Sequence, residues 1–563
     1  MIRADGVVRL NPALDGDATP RAGSPWSFCR FQHRGFGDVA VANPVTPELV
    51  TAYWFCQRKA FLLLRGDKGD AAHGYVTGTA LEATRSFESY LDFCKRSGLA
   101  IDQSDNADLD GGEHDVIVAA TLKVDGFEAK ADFLIRPKHQ VSPKSVYYEP
   151  YLAIGTHSIS VDQRIHLAVT GHILAKVLDV PVLSGGIVNA AINTMRIKLA
   201  PLSSVIEPII EKLKGWTRHL PAQPPPVVIK DHCQMCLFRR PCREQAETED
   251  NLSLLDRMTP KIMSQYNKNG IFTIKQLSYL YRPRRKRKRA GRHTLRFNFA
   301  LQVLAIRNQK IYVHELPSVG TQPECIFLDV EGLPDQGFIY LIGLIVCTVE
   351  ATERYSFWAN SVADEKTIFE SFLQTVEKHP DAPIYHYGSY ESKYITRIAK
   401  NYDINCENTN ARLVNINTYV FGKIYFPLRS NSLKEIGRFL GTKWSDENAS
   451  GLQSVVWRLR WDECNEDDLK QKLIRYNMED CEALRRLLSE LRNIALAATD
   501  RADVDFADTP KQNLTVTGQS IHNSFKAILR SARAGYTENR ISINPHNTAQ
   551  PKGPGFRSEA QRG

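Results

Sequence analysis

The segment ECIFLDVEGLPDQGFIYLIGLIV (residues 324–346) constrains this chain more than any other. A short apolar run ends in two acids one residue apart, Asp329 and Glu331. Side chains on a strand alternate with period two, so both carboxylates leave the strand on the same face. Converging there, they can bridge divalent cations. Two such ions, about 3.5–4 Å apart, stabilise the attacking and leaving oxygens of a phosphodiester cleavage. Further along, in RYNMEDCEALRRLL, Tyr476 and Asp480 stand one helical turn apart and extend the same pattern.

The length of 563 residues allows roughly three or four folding units at about 150 residues each. With 72 Lys+Arg against 63 Asp+Glu the net charge is +9, an excess that matters because it is local: residues 282–289 read RPRRKRKR. No apolar stretch is long and charge-free enough to span a bilayer. The start MIRADGVVRLNPALDGD lacks the apolar core of a signal peptide. A cytoplasmic protein without membrane contact is expected. In a reducing compartment its eleven cysteines point to metal or packing roles rather than a disulfide framework.

Composition and periodicity divide the chain into five parts and predict a multidomain α/β fold. Residues 1–45 read as a poorly ordered lead-in. Residues 46–245 begin with Thr46 as N-cap ahead of Pro47 and Glu48. Strands are expected there at 115–123, 127–136 and 145–150, helices at 160–178 and 203–219, then a Pro-rich hinge, PAQPPPVV. Residues 246–300 pair two short amphipathic helices through Asn269-Gly270 and continue into the basic run, the pattern of a helix-hairpin-helix and linker. Residues 301–495 carry strand-like runs at 301–305 and 310–315, the Asp329/Glu331 strand, a partner near 338–348, and the helix with Tyr476 and Asp480. Residues 496–563 turn polar and read as a largely disordered tail.

Between the acidic pairs, IYHYGSYESKYITRIA passes from a strand through a Gly-Ser turn into a helix that starts at Tyr390-Glu391. SNSLKEIGRFLG then reads as a capped helix ended by Gly441. Taken singly, each acid reads as a solvated group. In this order the four elements resemble the RNase H-like exonucleases of the DEDD class, Tyr subtype, over roughly residues 320–495. The resemblance implies 3′–5′ exonuclease activity, with Asp329, Glu331, Glu391 and Asp480 as ligands of two Mg²⁺ or Mn²⁺ ions. Tyr476 would orient or help deprotonate the attacking water. The class has Asp at the third position, and Glu391 is a methylene longer, so its contact could be direct or through water. The similar YHYG-x-YE segment of the domain fused to RecB-like nucleases carries Glu there too. Lys393 and Arg397, on the same helix, read as a solvated face or as phosphate contacts.

Cys233, Cys236 and Cys242 lie close together in DHCQMCLFRRPC, and Cys56 lies far upstream in WFCQRKAF. Four such thiols suit a cubane iron–sulfur cluster or a structural Zn²⁺. The layout resembles the iron–sulfur RecB-like nucleases of the PD-(D/E)XK superfamily, in which one cysteine precedes the core and three follow it. That resemblance implies a [4Fe–4S] staple, with zinc as second choice, around a restriction-endonuclease-type core. Glu82, Asp132 and Glu149 would be its acids, but Tyr151 stands where the family has its catalytic Lys. His166 and Thr170 occupy the places of a Gln-x3-Tyr motif, unless Gln163 substitutes. A degenerate site that retains DNA-binding shape is expected.

Helix-hairpin-helix units offer backbone N–H groups to phosphate. The basic run Arg284, Arg285, Lys286, Arg287, Lys288 and Arg289 would add salt-dependent affinity, or act only as a solvated linker. Whole-chain order resembles the family that joins an iron–sulfur RecB-like domain, a helix-hairpin-helix linker and an RNase H-like exonuclease, over roughly residues 46–495. Some members continue into a helicase, which suggests a helicase partner. No Gly-x4-Gly-Lys-Ser/Thr loop is present, so no ATPase is expected. The expected function is metal-dependent cleavage of DNA, with RNA as the alternative substrate. The alternative is a catalytically silent nucleic-acid-binding scaffold serving a helicase or repair complex.

Overall fold

The computed structural model describes residues 44–103, 114–137, 147–282 and 297–508, with scattered helical, exposed positions between 520 and 531. Almost all of the expected lead-in, the whole basic run at 284–289 and most of the expected tail lie outside the described residues. Residues 1–282 and 287–507 make one unit; residues 283–286 and 508–563 make another. No described helix is long and apolar enough to cross a membrane.

The chain enters its first core at Val45, buried, with its N–H donating to the Gly126 carbonyl at 2.9 Å. Helix α1 (Pro47–Phe55) starts where Thr46 Oγ1 accepts from the Leu49 N–H at 3.3 Å, with Pro47 supplying a preset φ. Extended backbone at Cys56 separates it from α2 (Gln57–Arg65), which Gly66 ends at φ +82°. Long helix α3 (Gly74–Arg96) follows. The next six strands form one sheet in chain order: β1 (Ile101–Asp102), β2 (Val116–Val124), β3 (Phe127–Ile135), β4 (Glu149–Ala153), β5 (Ser184–Val188) and β6 (Thr194–Lys198). Strands β2 to β4 are an antiparallel meander. Helix α4 (Val161–Leu178) then crosses over, so β5 pairs parallel to β4. Helices α1, α4 and α5 (Ala200–Arg218) cover one face of this sheet and α3 the other. The expected strand at 145–150 is β4, which begins only at Glu149.

Helix α6 (Arg239–Thr248) carries the last cysteine. Helices α7 (Pro260–Lys268) and α8 (Ile274–Leu277) are joined through Asn269-Gly270, with Gly270 at φ +76°. The run at 301–305, expected as a strand, is instead inside helix α9 (Phe299–Asn308). Asn298 caps it, accepting from the Leu301 N–H at 3.2 Å, and Gln309 ends it at φ +53°. All five of those residues are buried, so the apolar run shows no period to separate helix from strand.

Strands β7 (Ile311–Val313), β8 (Cys325–Leu333), β9 (Phe338–Cys347) and β10 (Thr352–Trp358) lead through α10 (Glu365–Glu377) to β11 (Ile384–His386). Then come α11 (Tyr390–Tyr402), α12 (Glu407–Ala411), β12 (Leu413–Asn415), α13 (Asn417–Val420) and β13 (Ile424–Tyr425). Helices α14 (Leu433–Phe439), α15 (Gly451–Cys464) and α16 (Asp467–Ala497) precede β14 (Val504–Phe506). Five strands form a sheet in the order β10-β9-β8-β11-β12, with β9 antiparallel to both neighbours and β11 and β12 parallel to β8. A small sheet, β13-β7-β14, sits beside it. Order therefore does not stop at 495: α16 runs to Ala497, and β14 pairs parallel to β7.

Helix α15 fastens this half to the first. Arg458 is buried on it, with its guanidinium donating to the carbonyls of Ala359 (2.8 Å) and Asn360 (2.7 Å) and pairing with Asp462. The rings of Tyr340, Trp358 and Trp461 surround that guanidinium. Nearby, Arg85 of α3 reaches Glu463 at 3.2 Å. A Cβ on Gly74 would fall 3.0 Å from Val456, so the two helices touch closely there. Asp335 adds a second tie, accepting from the N–H groups of His157 (2.6 Å) and Ser158 (2.8 Å).

Candidate active site

Strand β8 is buried along nearly its whole length, and its alternation delivers Asp329 and Glu331 to one side. Helix α16 runs across that side and adds Asp480. Among the described residues, one set of three potential metal donors lies within 4.8 Å: Asp329, Glu331 and Asp480.

Each carboxylate is aimed by a specific donor. The Asn477 side-chain N–H₂ donates to Asp329 Oδ2 at 2.6 Å and to the Asp329 carbonyl at 3.1 Å. Ser454 Oγ donates to Glu331 Oε2 at 2.6 Å, and the Trp444 indole N–H donates to Asp480 Oδ1 at 2.8 Å. Asn477 fits only because Gly343, paired with Asp329 on β9, has no side chain: a Cβ there would lie 1.8 Å from Asn477 Oδ1. Lys434, on α14, is the cation at this centre. Its ammonium lies 4.1 Å from the centre of the Tyr476 ring, and burial lowers its pKa while Asp480 and Glu331 raise it.

Charge crowding leaves its mark on titration. Burial, followed by the charges of Asp480, Glu331 and Glu391, pushes the Asp329 carboxyl far above the usual range. Burial pushes Glu331 to about 8, against the opposing Ser454 hydrogen bond, and Asp480 to about 6, against Lys434. The Tyr476 phenol, buried and beside Asp480, is raised far beyond its ordinary value. It stands as a hydrogen-bonding hydroxyl next to that carboxylate.

Residues 326–492 match a family model described as the RNase H superfamily. The match runs from β8 into α16 and contains all of these groups. No curated protein matches the chain. An RNase H-like domain indicates a nuclease-type hydrolase acting on nucleic acid, and such nucleases use divalent metal ions. The carboxylates here suit one: once ionised, Asp329, Glu331 and Asp480 would carry more negative charge than Lys434, the ammonium near them among the described residues, offsets.

Glu391 is buried at the start of α11, close enough for its charge to raise Asp329, yet outside the three-carboxylate set. His386, at the end of β11, holds its Oε2 at 3.2 Å through Nδ1. Arg397 is paired with Glu365 at 3.3 Å, Lys393 is exposed, and Trp358 and Tyr385 are buried in the core.

The first-half acids are not assembled in this way. Glu82 pairs with Arg85. Asp132, pushed up to about 6 by burial, accepts from the Ala153 N–H at 2.8 Å. Glu149 accepts from Ser184 Oγ at 2.6 Å and pairs with Arg196 at 2.5 Å. Tyr151 lies flat over Gly186, where a Cβ would be 2.1 Å from its ring. His166 faces Glu48 at 3.9 Å, Gln163 caps α4 through the Ser160 N–H, and Thr170 donates to the His166 carbonyl.

The four cysteines do converge: Cys56, Cys233, Cys236 and Cys242 line one small cavity. Backbone N–H groups of Lys230 and Phe238 donate to the sulfurs of Cys233 and Cys236, both at 3.4 Å, while burial raises the Cys233 thiol above its ordinary value.

The folded metal-free carboxyls keep protons that the unfolded chain releases near its ordinary values. Stability therefore falls as pH rises from about 5 to about 8. A thermal melt of metal-free protein should show Tm dropping across that window. Mn²⁺ should raise Tm more at the alkaline end, an increment that disappears in Asp480→Asn. Equal Mn²⁺ shifts in wild type and variant would contradict the assignment.

Proposed function

We propose that the RNase H-like domain hydrolyses phosphodiester bonds of DNA, or alternatively of RNA, removing nucleotides from a 3′ end. The observation that carries this is the buried, mutually repelling set Asp329, Glu331 and Asp480, each aimed by a separate donor. These three would hold the divalent ions, and Glu391, with its longer arm tied to His386, would reach them through water. Bound Mg²⁺ or Mn²⁺ would polarise the phosphate and lower the pKa of the attacking water. Tyr476 would orient that water with its hydroxyl, since its phenol is held protonated. Asn477 fixes Asp329, and Lys434 offsets charge on the phosphate oxygens.

On this reading the first half is a RecB-like core that binds nucleic acid without cutting it, because each of its candidate acids is already satisfied by the protein. A [4Fe–4S] cluster on the four cysteines, with zinc as the second choice, would tie the α1–α2 junction to residues 233–242. The helix-hairpin-helix element would add phosphate contacts, and a helicase would be a natural partner for such a nuclease.

Purified protein incubated with end-labelled DNA and RNA plus Mg²⁺ or Mn²⁺ should shorten one of them from a 3′ end, and Asp329→Ala should lose at least about a hundredfold in rate. Cleavage that is absent, or indifferent to that change, would refute the proposal. Anaerobic protein should be brown, with visible absorbance lost in Cys236→Ser. A colourless preparation carrying one zinc per chain would instead assign the second choice.

A further inference from the structure

Between the cysteine segment and the loop before α7 lies an open cleft of 810 Å³. Five cations line it, Lys230, Arg239, Arg240, Arg243 and Arg257, against two acids, Asp231 and Asp256. The guanidinium arms of Arg240, Arg243 and Arg257 are well exposed. Their ion pairs with Asp70 (3.2 Å), Glu247 (2.9 Å) and Asp256 (3.5 Å) are solvated ones that a phosphate could displace at little cost. Arg257 is held at φ +62°, a left-handed conformation unfavourable for a side chain of this size, with its guanidinium 4.3 Å from the centre of the Phe421 ring.

The cleft has two ends with different chemistry. At one, Cys233 lines both this space and the four-cysteine cavity, so that cavity forms part of its wall. At the other, Ser430 and Ser432 form the rim. Ser432 caps α14, and Lys434 follows two residues later, about 3 Å along the helix axis, at the carboxylates. Between the two serines Asn431 is buried, with neither its amide nitrogen nor its oxygen bonded.

We infer that this cleft binds the phosphate backbone of a single nucleic-acid strand and leads its end past Ser430–Ser432 to Asp329, Glu331 and Asp480. The destination rests on the nuclease reading; the affinity of the cleft for a strand does not. Sequence reading placed the basic contacts at 284–289. The cleft arginines lie between residues 239 and 257 with acids interspersed, so they form no basic run in the sequence.

The test uses the full chain carrying Asp329→Asn, so that binding is read whether or not the protein cleaves. Fluorescence anisotropy with a labelled single-stranded oligonucleotide is followed against salt. Changing Arg240, Arg243 and Arg257 together to Gln should weaken binding at least about tenfold and reduce the slope of log affinity against log salt by about two. The same three changed to Lys should keep affinity within about threefold, since charge is retained. Gln at Arg65, Arg96 and Arg354, exposed arginines that do not line the cleft, should leave binding intact. Unchanged affinity in the cleft Gln variant, an equal loss in the control set, or a Lys variant as weak as the Gln variant would overturn the inference.

Discussion

Repulsion among three crowded carboxylates is the constraint on which the second half of this protein depends. Asp329, Glu331 and Asp480 lie within 4.8 Å of one another, Glu331 and Asp480 buried and Asp329 half-buried, an arrangement that opposes folding unless a cation or protons offset it. The surrounding elements hold the set together. Strand β8 brings two members, α16 the third, and Asn477, Ser454 and Trp444 contribute one aiming bond each. Even the absent side chain of Gly343 serves this end, since it makes room for Asn477.

The two halves contrast in how they treat their acids. In the first, Glu82, Asp132 and Glu149 each have a protein partner, and Tyr151 packs against Gly186. In the second, the acids face each other with far less compensation than their charge requires. Such a set could hold a divalent ion. Helix α15 links the two: it supplies Ser454 to the carboxylates on one side and Val456 and Glu463 to α3 on the other, with Arg458 anchoring it in between.

Much of this was legible in the sequence where local chemistry dominates. Alternation on β8, the helical spacing of Tyr476 and Asp480, the Thr46 and Ser432 caps and the Gly270 turn all follow from rules that act within a few residues. What was hidden depends on chain segments meeting across the fold. Asn477 sits between two recognised residues, yet its role requires α16 to cross β9 at a glycine; the lone Gly343 inside an apolar strand was the available signal. Ser454 and Trp444 carry no motif at all. The 301–305 run was misassigned because it is buried on every side, and β14 went unseen because three residues pairing with distant β7 have no local pattern. His386 could have been suspected from its place five residues before Glu391, but only the β11–α11 turn brings them together.

The most direct test is to locate the metal. Crystals grown with Mn²⁺ should give an anomalous scattering peak within about 2–2.5 Å of carboxylate oxygens from Asp329, Glu331 and Asp480, with the Asn477 bond to Asp329 retained. No peak there at a Mn²⁺ concentration that supports activity, or a peak only at the first-half acids, would contradict the account.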